Sequence, residues 1–327
     1  MLAEMVKKFD EYCVAHFGED VSFWTKMFHT VKGVADFVLL GSTVTDYFEL
    51  TFYKKSFSEK KKYMTFRDSN RFAKAFDDLD EGWNLSKKTE LMTWLGKFLC
   101  REQISAQDMR LEDFQAFTQR HPVFLFKPST GSCGIGIEKA DASVTPAEDL
   151  FSRYAGQDGV LDECILQHPA MEKLHPDSVN TLRIFSVRIR SEIHIAAAVL
   201  RMGNGGSFID NYSAGGVVAP VDVHTGLVTA AAEDIYGKRY IYHPYTNAQI
   251  VGFQIPNWEA VIATVTEAAK EAPISYVGWD VAVRNDDCVI IEANYRPMVN
   301  VVQTADGGGK KALFESYLKE KNGESQR

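Results

Sequence analysis

The sequence is poor in cysteine, and no pattern among its cysteines or histidines builds a disulfide or zinc scaffold. Its 327 residues include five cysteines, which are Cys13, Cys100, Cys133, Cys164 and Cys288. The count is odd and no two of them have CxxC spacing, so we expect reduced thiols rather than a disulfide framework. The eight histidines show no HExxH or other zinc spacing, which excludes the common zinc hydrolases.

Long apolar runs and an excess of positive charge are also missing. No segment approaches the roughly 18 uncharged apolar residues of a membrane span, and the first 17 residues alternate charged with apolar side chains. The chain has 44 Asp and Glu against 36 Lys and Arg, a net charge of -8, which disfavours a general nucleic-acid binder. We therefore expect a cytoplasmic protein without an integral membrane segment or a nucleic-acid partner, and its oligomeric state stays open.

The N-terminal region, residues 1–85, is predicted to be mainly helical. Leu2, Met5, Val6, Phe9 and Cys13 recur at helical spacing. Further helices are predicted near 22–40, 56–65, 68–79 and 87–103. A run of lysines in this region is interpreted as a solvated helix face, with a surface for an anionic substrate or membrane lipid as the alternative. It comprises Lys54, Lys55, Lys60, Lys61 and Lys62.

After His121 the sequence becomes rich in β-formers and glycine turns. Short strands are predicted at 123–127, 135–139 and 164–167, together with hairpins formed by 181–189 with 193–201 and by 278–284 with 288–293. A helix is predicted to begin near Trp258, and a short one after the glycines at 307–309. Helices followed by antiparallel hairpins indicate an α+β fold, because the regular βαβ alternation of a Rossmann domain is not seen.

The first candidate site is the glycine-rich segment FLFKPSTGSCGIGIEK at 124–139. Lys127 ends a strand, and Gly131 and Gly134 let backbone amides approach an anion without obstruction by a Cβ atom. Ser129 and Ser132 add hydroxyl donors. The segment is not a P-loop, since no Lys-Ser/Thr follows the glycines. A phosphate cradle and an ordinary glycine-rich hairpin both remain open on this segment alone.

The second candidate site is GWDVAVRNDDCVIIEANYRP at 278–297. Glu292 and Asn294 are two residues apart on one strand and share a face, and the hairpin can bring Asp280 alongside. Oxygen donors that interrupt apolar strands suit Mg²⁺. We favour a metal site here over acids that simply point to solvent.

Two further segments are polar in apolar surroundings. Arg183 lies between Leu182 and Ile184 in a strand, where it would bind an anion or form a salt bridge to a neighbouring acid. The loop DNYSAGGV at 210–217 carries Asn211 and a glycine pair.

Taken together, these segments resemble the ATP-grasp superfamily, over about Leu85 to Leu318. In that family a strand lysine before a glycine-rich loop binds the ATP phosphates, a position that Lys127 matches. A second phosphate lysine corresponds to Lys88, with Lys87 as the alternative. The segment ILQHP resembles the hinge strand that holds adenine, which assigns Gln167 and His168 to the nucleotide site.

The metal signature of the superfamily, Asp…Glu-x-Asn-x-x-Pro, is matched by Asp280, Glu292, Asn294 and Pro297. The NTLRI, DN…GG and GWD segments are similar to the sugar-transfer-associated ATP-grasp group, which occurs with polysaccharide biosynthesis. The resemblance implies an α+β ATP-grasp fold with a helical region at 1–85, a small subdomain at 86–166 and a large subdomain at 167–327. It departs from the group at Met298, where glycine is common.

The resemblance also implies an ATP-dependent carboxylate–amine ligase that forms an amide through an acylphosphate. ATP and two Mg²⁺ ions, for which Mn²⁺ would substitute, are the expected cofactors, with Ser129, Gly131, Ser132, Gly134 and Asn211 among the nucleotide contacts. Arg183 would stabilise charge on the transferring phosphoryl group or on the tetrahedral intermediate. Arg296 would bind the substrate carboxylate or form a salt bridge. The alternatives are a kinase on the same scaffold and a nucleotide-binding protein without catalysis.

Overall fold

A computed structural model describes residues 2–76, 87–130, 136–206, 210, 212 and 215–324, with side chains from residue 6 onward. The helices are α1 (Leu2–Phe17), α2 (Phe23–Leu40), α3 (Val44–Glu49), α4 (Phe57–Lys60), α5 (Phe66–Phe76), α6 (Lys88–Leu99), α7 (Leu111–Arg120), α8 (Ala147–Tyr154), α9 (Pro169–Glu172), α10 (Trp258–Glu271), α11 (Asn300–Asp306) and α12 (Lys311–Lys321). The strands are β1 (Gln103–Ser105), β2 (Val123–Pro128), β3 (Glu138–Asp141), β4 (Gly159–Glu163), β5 (Thr181–Ile189), β6 (Glu192–Met202), β7 (Val217–Val221), β8 (Ala232–Glu233), β9 (Arg239–Tyr240), β10 (Tyr276–Val283) and β11 (Cys288–Tyr295).

Helices α1 to α5 form the N-terminal region, as the sequence predicts. Its core is aromatic and includes Tyr47, Phe48, Phe52 and Tyr63. The helix predicted over 56–65 is wrong beyond Lys60. A capping box begins α4, but a bend and a new helix follow within a few residues. The helix predicted over 68–79 begins two residues earlier, and residues 77–86 lie outside the described residues.

Within the described residues, the first four strands form a small antiparallel sheet in the order β1-β4-β2-β3. Helices α7 and α8 pack on it through Phe114, Phe117 and Leu150. The strand predicted at 164–167 is wrong, because the strand there is β4 and it ends at Glu163. Residues 164–168 instead lead to the second sheet, where the His168 N–H donates to Val283 O at 2.7 Å.

The second sheet has the order β11-β10-β5-β6-β7-β8-β9 and is also antiparallel. Both predicted hairpins are confirmed, as β5–β6 and β10–β11. One core includes side chains of β5 and β10, such as Trp279, with the packed faces of α6 and α10. A second core joins Phe72 of α5 and Phe314 of α12 to β5 residues such as Phe185. The α+β class with a helical N-terminal region is therefore confirmed.

The strands of the small sheet lie between residues 103 and 163, and those of the large sheet between 181 and 295. The exact domain limits at 85/86 and 166/167 stay a prediction. None of the helices in the described part of the chain is both long and apolar enough to cross a lipid bilayer.

Candidate active site

Asp280 and Glu292 face each other across β10 and β11, where they form a directly opposed pair in the strand register. A β-bulge follows Asp280, a feature that often re-aims side chains beside functional sites. The side chain of Asp280 is 5% exposed and that of Glu292 is 27% exposed. Two carboxylates on one face at this spacing concentrate negative charge that a cation can neutralise.

The two carboxyl groups are in opposite electrostatic situations. Burial acts to raise the pKa of Asp280, but the guanidinium groups of Arg183 and Arg201 outweigh it and hold that pKa below its ordinary value. Burial and the charge of Asp280 raise the pKa of Glu292, against the smaller effect of Lys88. An added positive charge would therefore stabilise the ionised form of Glu292 more than that of Asp280.

Arg183, a predicted catalytic residue, contacts both oxygens of Asp280. Its Nη2 donates to Asp280 Oδ2 at 2.9 Å, and its Nε donates to Oδ1. The two residues are opposed across β5 and β10, so the sheet register itself creates this pair. The structure thus shows the salt bridge that the sequence offered as the alternative, and a role in catalysis stays a prediction.

Arg201 and Asp210 extend this ion pair, and sequence reasoning missed both. Arg201 Nη2 donates to Asp280 Oδ2 at 2.9 Å, and its Nε lies 3.5 Å from Asp210 Oδ2. Thr181 donates to the same Asp210 oxygen. Burial raises the pKa of Asp210, more than Arg201 and Thr181 lower it. The signal for Arg201 was an arginine at the end of an apolar strand, the same signal that identified Arg183.

Lys88 connects the start of α6 to the carboxylate pair. Its Nζ lies 3.7 Å from Glu292 Oε1, and its backbone N–H donates to Ser129 O at 3.2 Å. Ser129 is buried, and its hydroxyl is hydrogen-bonded to Thr89 Oγ1 at 2.9 Å. The structure thereby brings together three predicted site residues, Lys88, Ser129 and Glu292. Lys87 is the N-cap residue of α6 and makes no side-chain capping bond.

Four predicted nucleotide contacts lie outside the described residues, so their assignment stays a prediction. They are Gly131, Ser132, Gly134 and Asn211.

Lys127 is buried on β2, where its Nζ donates to Asp162 Oδ2 at 2.5 Å. Asp162 on β4 also accepts from Arg101 Nε at 2.7 Å. Burial acts to raise the pKa of Asp162, but Lys127 and Arg101 together lower it below its ordinary value. Arg101 further donates from Nη2 to Ile291 O at 3.1 Å, so this network ties the small sheet to β11.

Gln167 and His168 hold the segment between the two sheets. Gln167 Oε1 accepts from the Asn180 N–H at 2.9 Å, and its Nε2 donates to Ser178 O at 2.8 Å. His168 Nδ1 accepts from the Ala170 N–H at 3.0 Å and caps α9. Both side chains therefore stabilise the local backbone through hydrogen bonds. Contact with adenine stays a prediction.

Asn294 and Arg296 complete the predicted set. Asn294 Nδ2 donates to Gly278 O at 3.3 Å, which leaves its carbonyl oxygen as the atom suited to a cation. Arg296 has a positive φ of 49°. Its Nε and Nη2 atoms are buried and have no hydrogen-bond partner within the part of the chain that is described.

The oxygen donors of Asp280, Glu292 and Asn294 fit a hard divalent cation. They lie on one face of two paired strands, and Glu292 carries a raised pKa in the absence of added positive charge. Each carboxylate oxygen has two lone pairs, so Asp280 keeps acceptor capacity beside its arginines. This donor set is the kind that Mg²⁺ prefers.

A sequence model described as sugar-transfer associated ATP-grasp matches residues 147–317, more than half of the chain. The chain belongs to this ATP-grasp family. The predicted membership of the ATP-grasp superfamily and of its sugar-transfer-associated group is thereby confirmed. No curated protein matches the sequence.

Several solved ATP-grasp structures are similar to this chain at low sequence identity. The ATP-grasp ligase PsnB, solved with a minimal precursor, is 13% identical with a TM-score of 0.47, over 75% of this chain and 64% of that one. D-alanine–D-alanine ligase from Bacillus anthracis is 12% identical with a TM-score of 0.45, over 79% of this chain and 77% of that one. The chain thus spans less than two thirds of the length of PsnB.

Proposed function

We propose that this ATP-grasp protein is an ATP-dependent carboxylate–amine ligase that forms an amide through an acylphosphate. The observation that carries the proposal is the opposed pair of Asp280 and Glu292 with Lys88 Nζ 3.7 Å from Glu292. Carboxylate oxygens beside a lysine suit a magnesium-bound triphosphate, because the carboxylates would hold the cation and the lysine would contact the phosphates.

The reaction has two steps. In the first, a carboxylate oxygen of the substrate attacks the γ-phosphorus of ATP, the bond from that phosphorus to the bridging oxygen breaks, and ADP leaves. In the second, the amine nitrogen attacks the acyl carbon, and the carbon–oxygen bond breaks with inorganic phosphate as the leaving group. The proton lost by the amine passes to phosphate or solvent. Magnesium bound with ATP would neutralise charge on the phosphates as they separate.

The position of each residue in the site indicates its role in the proposed reaction. Lys88 at the start of α6 and Lys127 on β2 would contact phosphate oxygens, and Ser129 would fix the beginning of the glycine-rich loop against α6. Asp280, Glu292 and Asn294 would hold the cation. Arg183 contacts both oxygens of Asp280, so it would lie beside the bound cation, where its guanidinium would stabilise the transferring phosphoryl group.

Arg296 is the residue we assign to the substrate carboxylate. Its Nε and Nη2 atoms are buried without a partner in the described part of the chain, and the residue lines a small cavity of about 30 Å³. The cavity is lined by Phe66, Ser69 and Asn70 of α5, with Met298 and Asn300. A buried guanidinium without a partner is costly unless an anion binds it. This assignment gives the N-terminal helical region a part in recognising the substrate.

The substrate class that we propose rests on the family description. Sugar-transfer association supports a sugar-linked carboxylate or amine in polysaccharide biosynthesis. We place the reaction in the cytoplasm because it consumes ATP. We also propose the domain limits 1–85, 86–166 and 167–327, with the nucleotide between the small and large sheets.

The test is a screen for product by mass spectrometry. The purified protein receives Mg·ATP with pooled amino acids, amino sugars and uronic acids, while ADP and phosphate release are followed in parallel. The proposal predicts a product whose mass is the sum of one acid and one amine minus one water. A product that gains a phosphoryl group on a hydroxyl, with no release of phosphate, would instead identify a kinase.

A further inference from the structure

Helix α2 exposes its apolar side chains and buries polar ones, the reverse of an ordinary surface helix. Its two buried residues are His29 and Asp36. Nine of its large apolar side chains are between 42% and 71% exposed. They are Phe23, Trp24, Met27, Phe28, Val31, Val34, Phe37, Val38 and Leu39.

These nine residues, which we call the α2 apolar face, form one continuous surface. At about 100° per residue they fall within an arc of about 200° on the helix. The 18-residue helix is about 27 Å long at 1.5 Å per residue. Apolar residues that are exposed singly are normal, but a contiguous surface of this kind marks an interaction site.

The orientation of α2 is fixed by specific contacts. Ser22 caps its first turn, and Gly41 ends it with a positive φ of 70°. On the buried side, His29 Nδ1 and Tyr47 Oη are hydrogen-bonded at 2.8 Å, and Lys60 Nζ donates to Asp36 Oδ2 at 2.6 Å. Rotating the helix to bury its apolar face would break these buried polar contacts, so the exposure is built into the fold.

Cations lie close to the C-terminal half of α2. Lys32 Nζ lies 4.8 Å from the centre of the Phe28 ring. Arg67 Nη2 donates to Leu39 O at 3.1 Å, at the end of the helix. Lys61 and Lys62 are exposed next to the buried Lys60, and Lys61 Nζ lies 4.6 Å from the ring centre of the half-exposed Phe57.

Acidic groups lie at other positions around the helix. Glu19 and Asp20 precede its first turn and are exposed. Glu59 is tied to the hydroxyl and the N–H of Ser56. Asp10 is paired with Lys26 at 2.8 Å. The α2 apolar face itself contains no acid, and Lys32 and Arg67, which contact its residues Phe28 and Leu39, make its C-terminal half cationic.

We propose that the α2 apolar face docks onto a lipid bilayer that carries anionic headgroups, with the helix lying in the plane of the interface. Phenylalanine and tryptophan on one face, with lysine stems at its border, are the features of an interfacial helix. A second copy of this chain is the competing occupant of the face, and the test below distinguishes it from a bilayer. This inference is independent of the proposed ligase reaction.

The test is flotation of the full-length protein with vesicles of phosphatidylcholine, alone or mixed with phosphatidylglycerol. Wild type is expected to float with the mixed vesicles and much less with phosphatidylcholine alone. The double variant V31E/V38E should bind at least about tenfold more weakly, since both side chains would leave the apolar phase. The matched control is Val144→Glu, because Val144 is 78% exposed and lies outside the face.

Charge and self-association are tested on the same preparations. K61E/K62E should weaken binding to the mixed vesicles, whereas Lys173→Glu at another exposed lysine should not. Circular dichroism verifies that each variant is folded, which is expected because every substituted residue is exposed. Failure of wild type to bind mixed vesicles, or equal binding by V31E/V38E, would overturn the proposal. A wild-type dimer that V31E/V38E converts to monomer, without vesicle binding, would also overturn it and identify a self-interface.

Discussion

Arg183 and Asp280 form a two-point ion pair across neighbouring strands of the large sheet, with Nη2 2.9 Å from Oδ2 and Nε bonded to Oδ1. The side chains are 14% and 5% exposed. An arginine fork on a carboxylate of this kind is geometrically specific and strong. A cation that binds Asp280 must share its oxygens with this fork, so the pair links metal binding to the position of Arg183.

Removing Arg183 should cost moderate stability, because Arg201 still contacts Asp280. We expect Arg183→Met to lower the free energy of unfolding by about 1–3 kcal/mol, the range for a lost hydrogen bond to a buried charged group. Urea denaturation measures the change. The control is Arg110→Met, since Arg110 pairs with Asp113 on the surface and such exposed pairs contribute little to stability. Equal effects of the two substitutions would contradict the buried pairing.

Asp162 should be the more damaging site, because it is fully buried between Lys127 and Arg101. Asp162→Asn leaves two buried cations without their carboxylate, so we expect a loss of about 3–5 kcal/mol. Because the pKa of Asp162 is lowered in the folded protein, its contribution is complete above the ordinary Asp pKa and disappears as the pH falls through the folded value. The wild-type advantage over the variant in urea denaturation should therefore shrink in acid. An advantage that does not change with pH would contradict this assignment.

Glu49 should give the opposite dependence on pH. Burial, more than any other factor, raises the pKa of Glu49 from 4.5 to about 7, while its Oε1 accepts from Tyr12 Oη at 2.8 Å. The folded state therefore holds a proton that the unfolded state loses, and stability falls as the pH rises from about 4.5 to 7. Glu49→Gln lacks the titrating group, so its free energy of unfolding should not show this fall. Urea denaturation of the variant and of wild type at each pH measures the difference. The difference between the two proteins cancels the opposing titration of His16, whose pKa burial lowers to about 4.

Arg296 should affect substrate binding rather than stability. Its Nε and Nη2 have no partner within the described residues, so Arg296→Met is expected to leave the free energy of unfolding unchanged or slightly higher. In the proposed ligase, the KM for the carboxylate should rise by about 10- to 100-fold, equivalent to the loss of a charge-assisted hydrogen bond. Steady-state kinetics measures this, with Arg153→Met at an exposed ion pair as control. A strong loss of stability with an unchanged KM would assign Arg296 a structural role.

The sequence predicted the elements whose pattern is local. The β10–β11 hairpin follows from two apolar runs around Asn285 and Asp286, and its register places Asp280 opposite Glu292 as expected. The strand predicted at 164–167 was wrong because apolar composition alone does not distinguish a paired strand from an extended connection. The helix over 56–65 was wrong because the turn after Lys60 leaves no strong local signal.

The ion pairs that organise the site could not be predicted, because they join residues far apart in the chain. Arg101 and Asp162 are separated by 61 positions, and Arg201 and Asp280 by 79. Each is a charged residue in an apolar segment, which signals a buried partner without identifying it. The solvent exposure of the apolar side chains of α2 could not be predicted either, because the apolar pattern predicts a helix but not which side of it faces solvent.

Trapping with hydroxylamine tests the central claim, an acylphosphate made from ATP, most directly. Once the screen identifies an acid, the protein is incubated with that acid, Mg·ATP and hydroxylamine, and hydroxamate is measured. The account predicts hydroxamate that depends on the acid, falls by about 10²-fold or more in Glu292→Ala since a metal ligand is lost, and persists in Glu267→Ala at an exposed ion pair. Amide formation without hydroxamate, or hydroxamate undiminished in Glu292→Ala, would contradict it.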